Sequence, residues 1–217
     1  MVVGITGKCR SSWVGQSLLR RPRAANRVRD VTYEWVGGVE AVAVTYVRGL
    51  EPRQVGELLR FDWATGRQAT FAEAADQQNF DSEQYAVQVE QVESARGSWI
   101  ILVEPNGYLA SLPEAVQALS DADVAVSVSV YWNVNAQMRF AMYADGILIR
   151  SFDPLLPDLE AEGKPLAEEE GLQFGGEVDP RAGAMELAER LTGCGISRDW
   201  LLDVPHPTWT AAGFFAA

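Results

Sequence analysis

The sequence has very few of the side chains that most often carry catalysis or bind transition metals. Among 217 residues there is one histidine, His206, and there are two cysteines, Cys9 and Cys194. A Ser-His-Asp triad would have to use that one imidazole, and a cysteine-only zinc site needs about four thiolates. His206 lies between two prolines, with no catalytic partner near it in the sequence. We therefore predict no metal site and no cofactor.

Long apolar segments are also absent. A membrane-spanning helix needs about 18 or more consecutive apolar residues, and no such run occurs. Hydrophobic residues make up 47% of the chain and charged residues 22%, which is typical of a folded globular domain. We predict a single domain over residues 30–217 that does not interact with membranes.

Acidic residues are missing from the first 29 residues, although acids dominate the rest of the chain. Residues 1–29 contain seven basic residues: Lys8, Arg10, Arg20, Arg21, Arg23, Arg27 and Arg29. The net charge is −12, so residues 30–217 carry −19, which repels nucleic acid phosphates. We predict a disordered basic leader over 1–29, with a transit peptide or an arm for anionic surfaces as alternatives. For the acidic body we predict a basic protein partner and no nucleic acid.

The hydrophobic pattern predicts a largely antiparallel sheet. Apolar runs at 40–47 and 98–103 are typical of buried strands, and 85–90 alternates as a strand with one buried face does. Alternation is clearest over 124–135, and tight turns connect this strand to two further strands in a meander. We predict an α+β fold: a twisted, largely antiparallel sheet of about six to seven strands, with helices packed mainly on one face.

Helix signals occur at several places between these strands. Pro52 after Glu51, and Asp179-Pro180 with Gly193 beyond the helix, are typical of helix ends. Further caps are predicted at Thr70, Ser111 and Ser197.

Two connecting segments have distinctive compositions. Asn106-Gly107 predicts a hairpin that returns the chain through 108–110. Residues 154–179 are rich in proline, glycine and acids, and we predict an acidic, mobile loop there.

Glu104 is the strongest candidate for a catalytic residue. It ends an apolar strand beside the Asn106-Gly107 turn, and burial there would raise its pKa toward that of a general acid or base. The alternative is a structural role, in which Glu104 pairs with Arg48 or Arg150 and fixes the turn.

A ladder of polar side chains is the main candidate for ligand binding. Tyr131, Asn133 and Asn135 lie on the face opposite Val128 and Trp132. Such a face can line a ligand groove, and Arg48 and Arg150 are added as further candidate ligand-binding residues. It can equally be the solvated face of an antiparallel sheet.

Other residues are assigned by their surroundings in the sequence. Trp99 and Trp132 lie on apolar strands and are predicted to be in the core. Trp35, Trp63 and Trp209 are candidates for exposed partner contacts, with ordinary packing as the alternative. Cys194 lies between two glycines after a helix and is predicted to be exposed.

Several motifs occur in a characteristic order. They are Tyr46–Pro52 (YVRGLEP), Gly97–Gly107 (GSWIILVEPNG), Leu119-Ser120, Asn133–Ala136 (NVNA), Ala144–Gly146 (ADG) and Leu187–Gly193 (LAERLTG). Through them the chain resembles an uncharacterised, mostly actinobacterial family of domains of unknown function. The resemblance implies a bacterial, cytoplasmic protein and supplies no catalytic residues.

Two classes of function remain open. The acidic body favours a non-enzymatic binding or regulatory domain, or an accessory domain of the immunity type, that acts through contacts with a protein partner. The alternative is a small hydrolase or lyase centred on Glu104. A deep pocket with convergent polar groups favours the enzyme, and a broad acidic or aromatic surface favours the binding domain.

Overall fold

The computed structural model describes residues 23–24, 32–122, 125–159 and 161–212. Its strands are β1 (Arg23–Ala24), β2 (Val42–Arg48), β3 (Phe61–Ala69), β4 (Gln84–Ser94), β5 (Gly97–Pro105), β6 (Val126–Trp132), β7 (Met138–Ala144), β8 (Ile147–Phe152), β9 (Glu162–Gly163) and β10 (His206–Ala212). Its α-helices are α1 (Pro52–Leu58), α2 (Phe71–Ala75), α3 (Pro113–Ala118), α4 (Pro180–Thr192) and α5 (Arg198–Leu202). Apart from β1, the proposed leader lies outside the described residues, as does Val124 of the predicted strand.

The strands form one open, mostly antiparallel sheet in the order β3-β10-β4-β5-β2-β6-β7-β8-β9, and β1 pairs in parallel with β4. The predicted α+β class and antiparallel sheet are confirmed, whereas the predicted strand count is too low. The missed strands lack a clear pattern: most of β3 is exposed at the sheet edge, and β10 contains Pro207. None of the helices in the described part of the chain is long and apolar enough to cross a membrane.

Helices cover both faces of the sheet, so the prediction that they pack mainly on one face is wrong. One core places Val44 and Trp132 against Leu187 of α4. The other contains Val47 together with Val55 of α1 and Ala115 of α3. The physical reason is that β2 is buried along almost its whole length, so both of its faces need a covering layer.

The face of β6 that carries Ser127 and Ser129 is buried although these residues are polar. The Ser127 hydroxyl donates to the backbone oxygen of Val116 at 2.6 Å, and the Thr45 hydroxyl donates to Ser129 Oγ at 2.9 Å. Because these hydroxyls are satisfied within the protein, their polarity does not require a solvated face.

The Asn106-Gly107 turn does not form the predicted hairpin. Asn106 adopts the left-handed conformation such turns use, with φ at 53°. The chain then enters a short 3-10 helix over Leu109–Ser111 and continues into α3. Leu112, and not Ser111, is the residue before that helix, and the Ser111 hydroxyl instead donates to Tyr108 O at 2.7 Å.

The other helix ends agree with the sequence. Glu51 and Gln54 form a capping box on α1, Thr70 caps α2 and Ser197 caps α5. Asp179 caps α4, and Gly193 ends it in the left-handed conformation with φ at 71°. Residues 154–179 contain β9 and a short 3-10 helix over Ala167–Glu169, and the mobility of this segment stays a prediction.

Four of the assignments for individual side chains are decided by burial. Trp99 and Trp132 are core residues, as predicted. Trp209 is 1% exposed and stacks in parallel on Phe61, so its ordinary-packing alternative is correct. Cys194 is 2% exposed, which makes the predicted exposure wrong, because it belongs to the core cluster that contains Leu187 and Ile196.

Candidate functional site

Glu104 is enclosed by the backbone that follows it. The side chain is 0% exposed, Oε2 accepts a hydrogen bond from the Leu109 N–H at 2.8 Å, and Oε1 accepts one from the Ala110 N–H at 2.6 Å. These N–H groups begin the 3-10 helix, so they have no partner within that helix. The carboxylate therefore acts as the cap that turns the chain after β5.

Neither arginine expected beside Glu104 reaches it. Arg48 lies at the opposite end of β2, where its guanidinium is 5.0 Å from the centre of the Trp99 ring. Arg150 forms a two-pronged ion pair with Glu169, at 2.9 and 3.1 Å. The predicted arginine partner is wrong because backbone N–H groups take its place, whereas the structural role proposed for Glu104 fits this geometry.

The environment of Glu104 still disfavours its charge. Burial raises the pKa of this carboxyl to about 7, while the hydrogen bonds from Ala110 and Leu109 act in the opposite direction. A catalytic acid needs both this kind of pKa and access to substrate. Glu104 has the first property and lacks the second, since its carboxylate is completely covered.

An aromatic cluster lies next to Glu104 at this end of the sheet. Glu104 and Tyr131 both pair with Ala43, so they lie on the same face, two strands apart. Tyr131 meets Tyr108 edge-on at 6.5 Å between ring centres, and the Tyr108 and Tyr85 hydroxyls are 3.1 Å apart. The structure thus brings Glu104 and Tyr131 together, as part of a tyrosine cluster that the sequence did not indicate.

The two asparagines of the polar ladder organise a turn. Asn133 Nδ2 donates to Tyr131 Oη at 2.7 Å and to Gln137 Oε1 at 2.8 Å. Its Oδ1 accepts from the Asn135 and Gln137 N–H groups at 3.0 and 3.1 Å. An amide has two donors and two acceptor lone pairs, so Asn133 has none left for a ligand. Asn135 is exposed in the same turn.

His206 is a buried residue of β10. Its Nδ1 is 3.4 Å from Glu90 Oε2, and its Nε2 is 2.8 Å from the backbone oxygen of Trp200. The sequence did not suggest these partners, because they come from β4 and α5. With the imidazole 1% exposed, His206 ties the end of the sheet to α5 and offers no open reactive group.

A second candidate site is a groove of about 1030 Å³ beside α4, which we call the acidic groove. It is lined by residues 32–34, by 171–173 and 177–179 of the acidic segment, and by the outer face of α4 with Gly193. Its charged lining residues are Glu34, Glu177, Asp179, Glu186, Glu189 and Arg190. The sequence indicated acidic composition here but could not show that residues so far apart meet.

The charges of the acidic groove are only partly balanced. Asp179 is paired with Arg181, whose hydrogen bonds lower the pKa of the Asp179 carboxyl, and Glu186 is 2.8 Å from Arg190. Within the described part of the chain, neither Glu34 nor Glu177 has a basic side chain within ion-pair distance. A cleft with an excess of one charge concentrates its field and attracts ligands of the opposite charge.

Glu189 is held in place at the groove by Tyr33. The Tyr33 hydroxyl donates to Glu189 Oε2 at 2.7 Å and is within 3.4 Å of the Ile196 N–H, which donates to it. Burial and the nearby Glu189 carboxylate raise the Tyr33 pKa, so the hydroxyl remains a donor at neutral pH. The arrangement positions a carboxylate that can accept hydrogen bonds from an ammonium or guanidinium group.

A family model described as a family of unknown function, DUF6461, matches residues 30–208. The chain belongs to this family. The match includes Glu104 and every residue that lines the acidic groove, and it confirms the resemblance to a domain family of unknown function. Neither the comparison with curated proteins nor that with solved structures gives a match to this DUF6461 member.

Proposed function

We propose that this DUF6461 domain is a non-enzymatic binding domain that takes a basic segment of a protein partner into the acidic groove. The observation that carries the proposal is the groove lining, in which the described residues supply five carboxylates and one arginine. Lysine and arginine side chains complement such a lining, and electrostatic attraction would accelerate their association.

The enzyme alternative has less support. A hydrolase or lyase centred on Glu104 requires an accessible carboxylate, whereas both oxygens of Glu104 accept backbone hydrogen bonds inside the protein. Among the described residues that line the acidic groove there is no histidine, cysteine, serine or lysine to work with the carboxylates. We propose a regulatory or immunity-like accessory role in a bacterial cytoplasm, in which binding neutralises the partner.

Site-specific photo-crosslinking in the native host tests this function. A photoreactive amino acid replaces Gln173, which lines the groove, or Gln117, which is exposed on α3. We expect Gln173 to capture a partner peptide rich in lysine and arginine, and Gln117 not to capture it. Capture of non-basic peptides at Gln173, or equal capture at both positions, would contradict the proposal.

Matched charge variants test whether the partner binds to the groove or is attracted by the overall negative charge of the domain. The groove variant is E34Q/E177Q/E186Q, and the control D81N/E83Q/E114Q changes three exposed acids that do not line the groove. Both raise the net charge equally. We expect the groove variant to lose most of the cross-linked partner and the control to retain it. An equal loss would assign the binding to the overall charge.

A further inference from the structure

We propose, resting on the proposed function, that residues 1–22 of this chain bind in its own acidic groove and compete with the basic partner. These residues contain Lys8, Arg10, Arg20 and Arg21 and no acid. They therefore have the chemistry that the groove lining complements, and they belong to the same molecule as the groove.

The place where this segment joins the described chain lies close to the groove. Arg23 and Ala24 of β1 pair with Val92 and Glu93 of β4. The next residue of β4, Ser94, donates a hydrogen bond to the backbone oxygen of Thr192 at 2.6 Å. Gly193, which follows Thr192, lines the acidic groove. The segment is thus attached to the sheet beside the end of the groove formed by the C-terminus of α4.

Because residues 1–22 are covalently attached to the domain, they can occupy the acidic groove even if their affinity for it is weak. A chain of this length has a root-mean-square reach of roughly 25 Å, so the whole groove is accessible from the attachment point. Short connections of this kind give effective concentrations of about 1 mM. A groove with only millimolar affinity for the free segment would then be about half occupied, and an external partner would have to displace it.

Zero-length cross-linking of the full chain tests where the segment binds. A carbodiimide joins lysine ammonium groups to carboxylates in direct contact, and the chain has only two lysines, Lys8 and Lys164. We expect Lys8 to link to Glu177 or Glu186, with the product lost at 1 M salt, where screening is strong. The K8R variant should lose the product. Links from Lys8 to Asp81, Glu83 and Glu114 at equal yield would overturn the proposal.

Competition with a defined probe separates this proposal from the function on which it rests. The probe is fluorescent nona-arginine, and the segment variant is R10Q/R20Q/R21Q. The control R53Q/R60Q/R67Q changes three exposed arginines of the body by the same charge. We expect the segment variant to bind the probe about twofold more tightly than the control does, because a groove that is half occupied has half its intrinsic affinity for an external ligand.

The two possible failures give different results. If the segment and control variants bind nona-arginine equally, occupation of the groove by residues 1–22 is overturned while groove binding stands. If E34Q/E177Q/E186Q binds the probe as tightly as D81N/E83Q/E114Q does, the groove itself is not the site and the proposed function fails.

Discussion

Glu104 is a buried carboxylate that fixes the chain after β5 through backbone hydrogen bonds and not through an ion pair. Its two oxygens hold the N–H groups of Leu109 and Ala110, and a Cβ at Gly107 would lie 2.9 Å from the Glu104 Cβ. The chain can therefore wrap closely around the carboxylate only with glycine at 107. The sequence identified Glu104 as unusual but could not identify its partners, because backbone N–H groups leave no signal in the residue types.

The raised pKa of Glu104 predicts a pH-dependent stability. Because the folded protein binds this proton more tightly than the unfolded chain does, the free energy of unfolding falls as pH rises through about 7. The loss between pH 5 and pH 8 is at most about 3 kcal/mol. Urea melts at both pH values should show it.

The E104Q variant provides the control for this pH effect. The variant should not show the loss of unfolding free energy between pH 5 and pH 8 that comes from Glu104. At pH 5 it should be about 1–3 kcal/mol less stable than the wild type, since its amide NH₂ faces a backbone N–H. A wild-type protein that is more stable at pH 8 than at pH 5 would contradict the assignment to Glu104.

At the scale of helices and strands, the features that the sequence predicts correctly depend on residues close together in the chain. The caps at Glu51, Asp179 and Gly193 and the alternation of β6 specify where helices and strands lie. The polar residues of β6 were ambiguous, since burial of Ser127 depends on α3 covering it. The acidic groove was unpredictable for the same reason, because it joins 32–34 to segments more than a hundred residues away.

The register of β6 can be tested by two neighbouring substitutions. Trp132 is 1% exposed and its Nε1 donates to Val39 O at 2.7 Å, so W132A should cost about 3–5 kcal/mol. N133A removes only turn hydrogen bonds and should cost about 1 kcal/mol. Denaturant melts that give the opposite order would show that the faces of β6 are reversed.

The end of α4 depends on a single glycine. Gly193 has φ at 71°, and a Cβ there would be 3.0 Å from Ser94 Oγ. G193A should therefore lower the free energy of unfolding by about 1–2 kcal/mol in denaturant melts. G171A provides a control with φ at 75° and open space around the added Cβ, so a smaller loss is expected there.

At the scale of the whole molecule, the excess of acids works against compactness. Residues 30–217 carry a net charge of −19, and like charges that face one groove repel each other. A domain selected only for stability would place bases among them. The proposed binding site would account for this arrangement, since functional surfaces often reduce stability.

This trade-off predicts opposite effects on stability and on binding. The E34Q/E177Q variant should be as stable as the wild type or slightly more stable, within about 0.5 kcal/mol, in thermal melts at low salt. The same variant should bind nona-arginine more weakly. A variant that loses both stability and binding would show that these carboxylates support the fold.

The ion pair between Arg150 and Glu169 has a consequence for the entropy of binding. It joins β8 to the 3-10 helix at 167–169, and Arg190 of α4 donates to the backbone oxygens of Glu168 and Glu170 at 3.1 and 2.8 Å. One wall of the groove is therefore connected to both the sheet and α4 before any ligand arrives. If the groove binds a basic segment as we propose, these contacts would reduce the conformational freedom that the wall loses on binding, and the affinity would be higher for that reason.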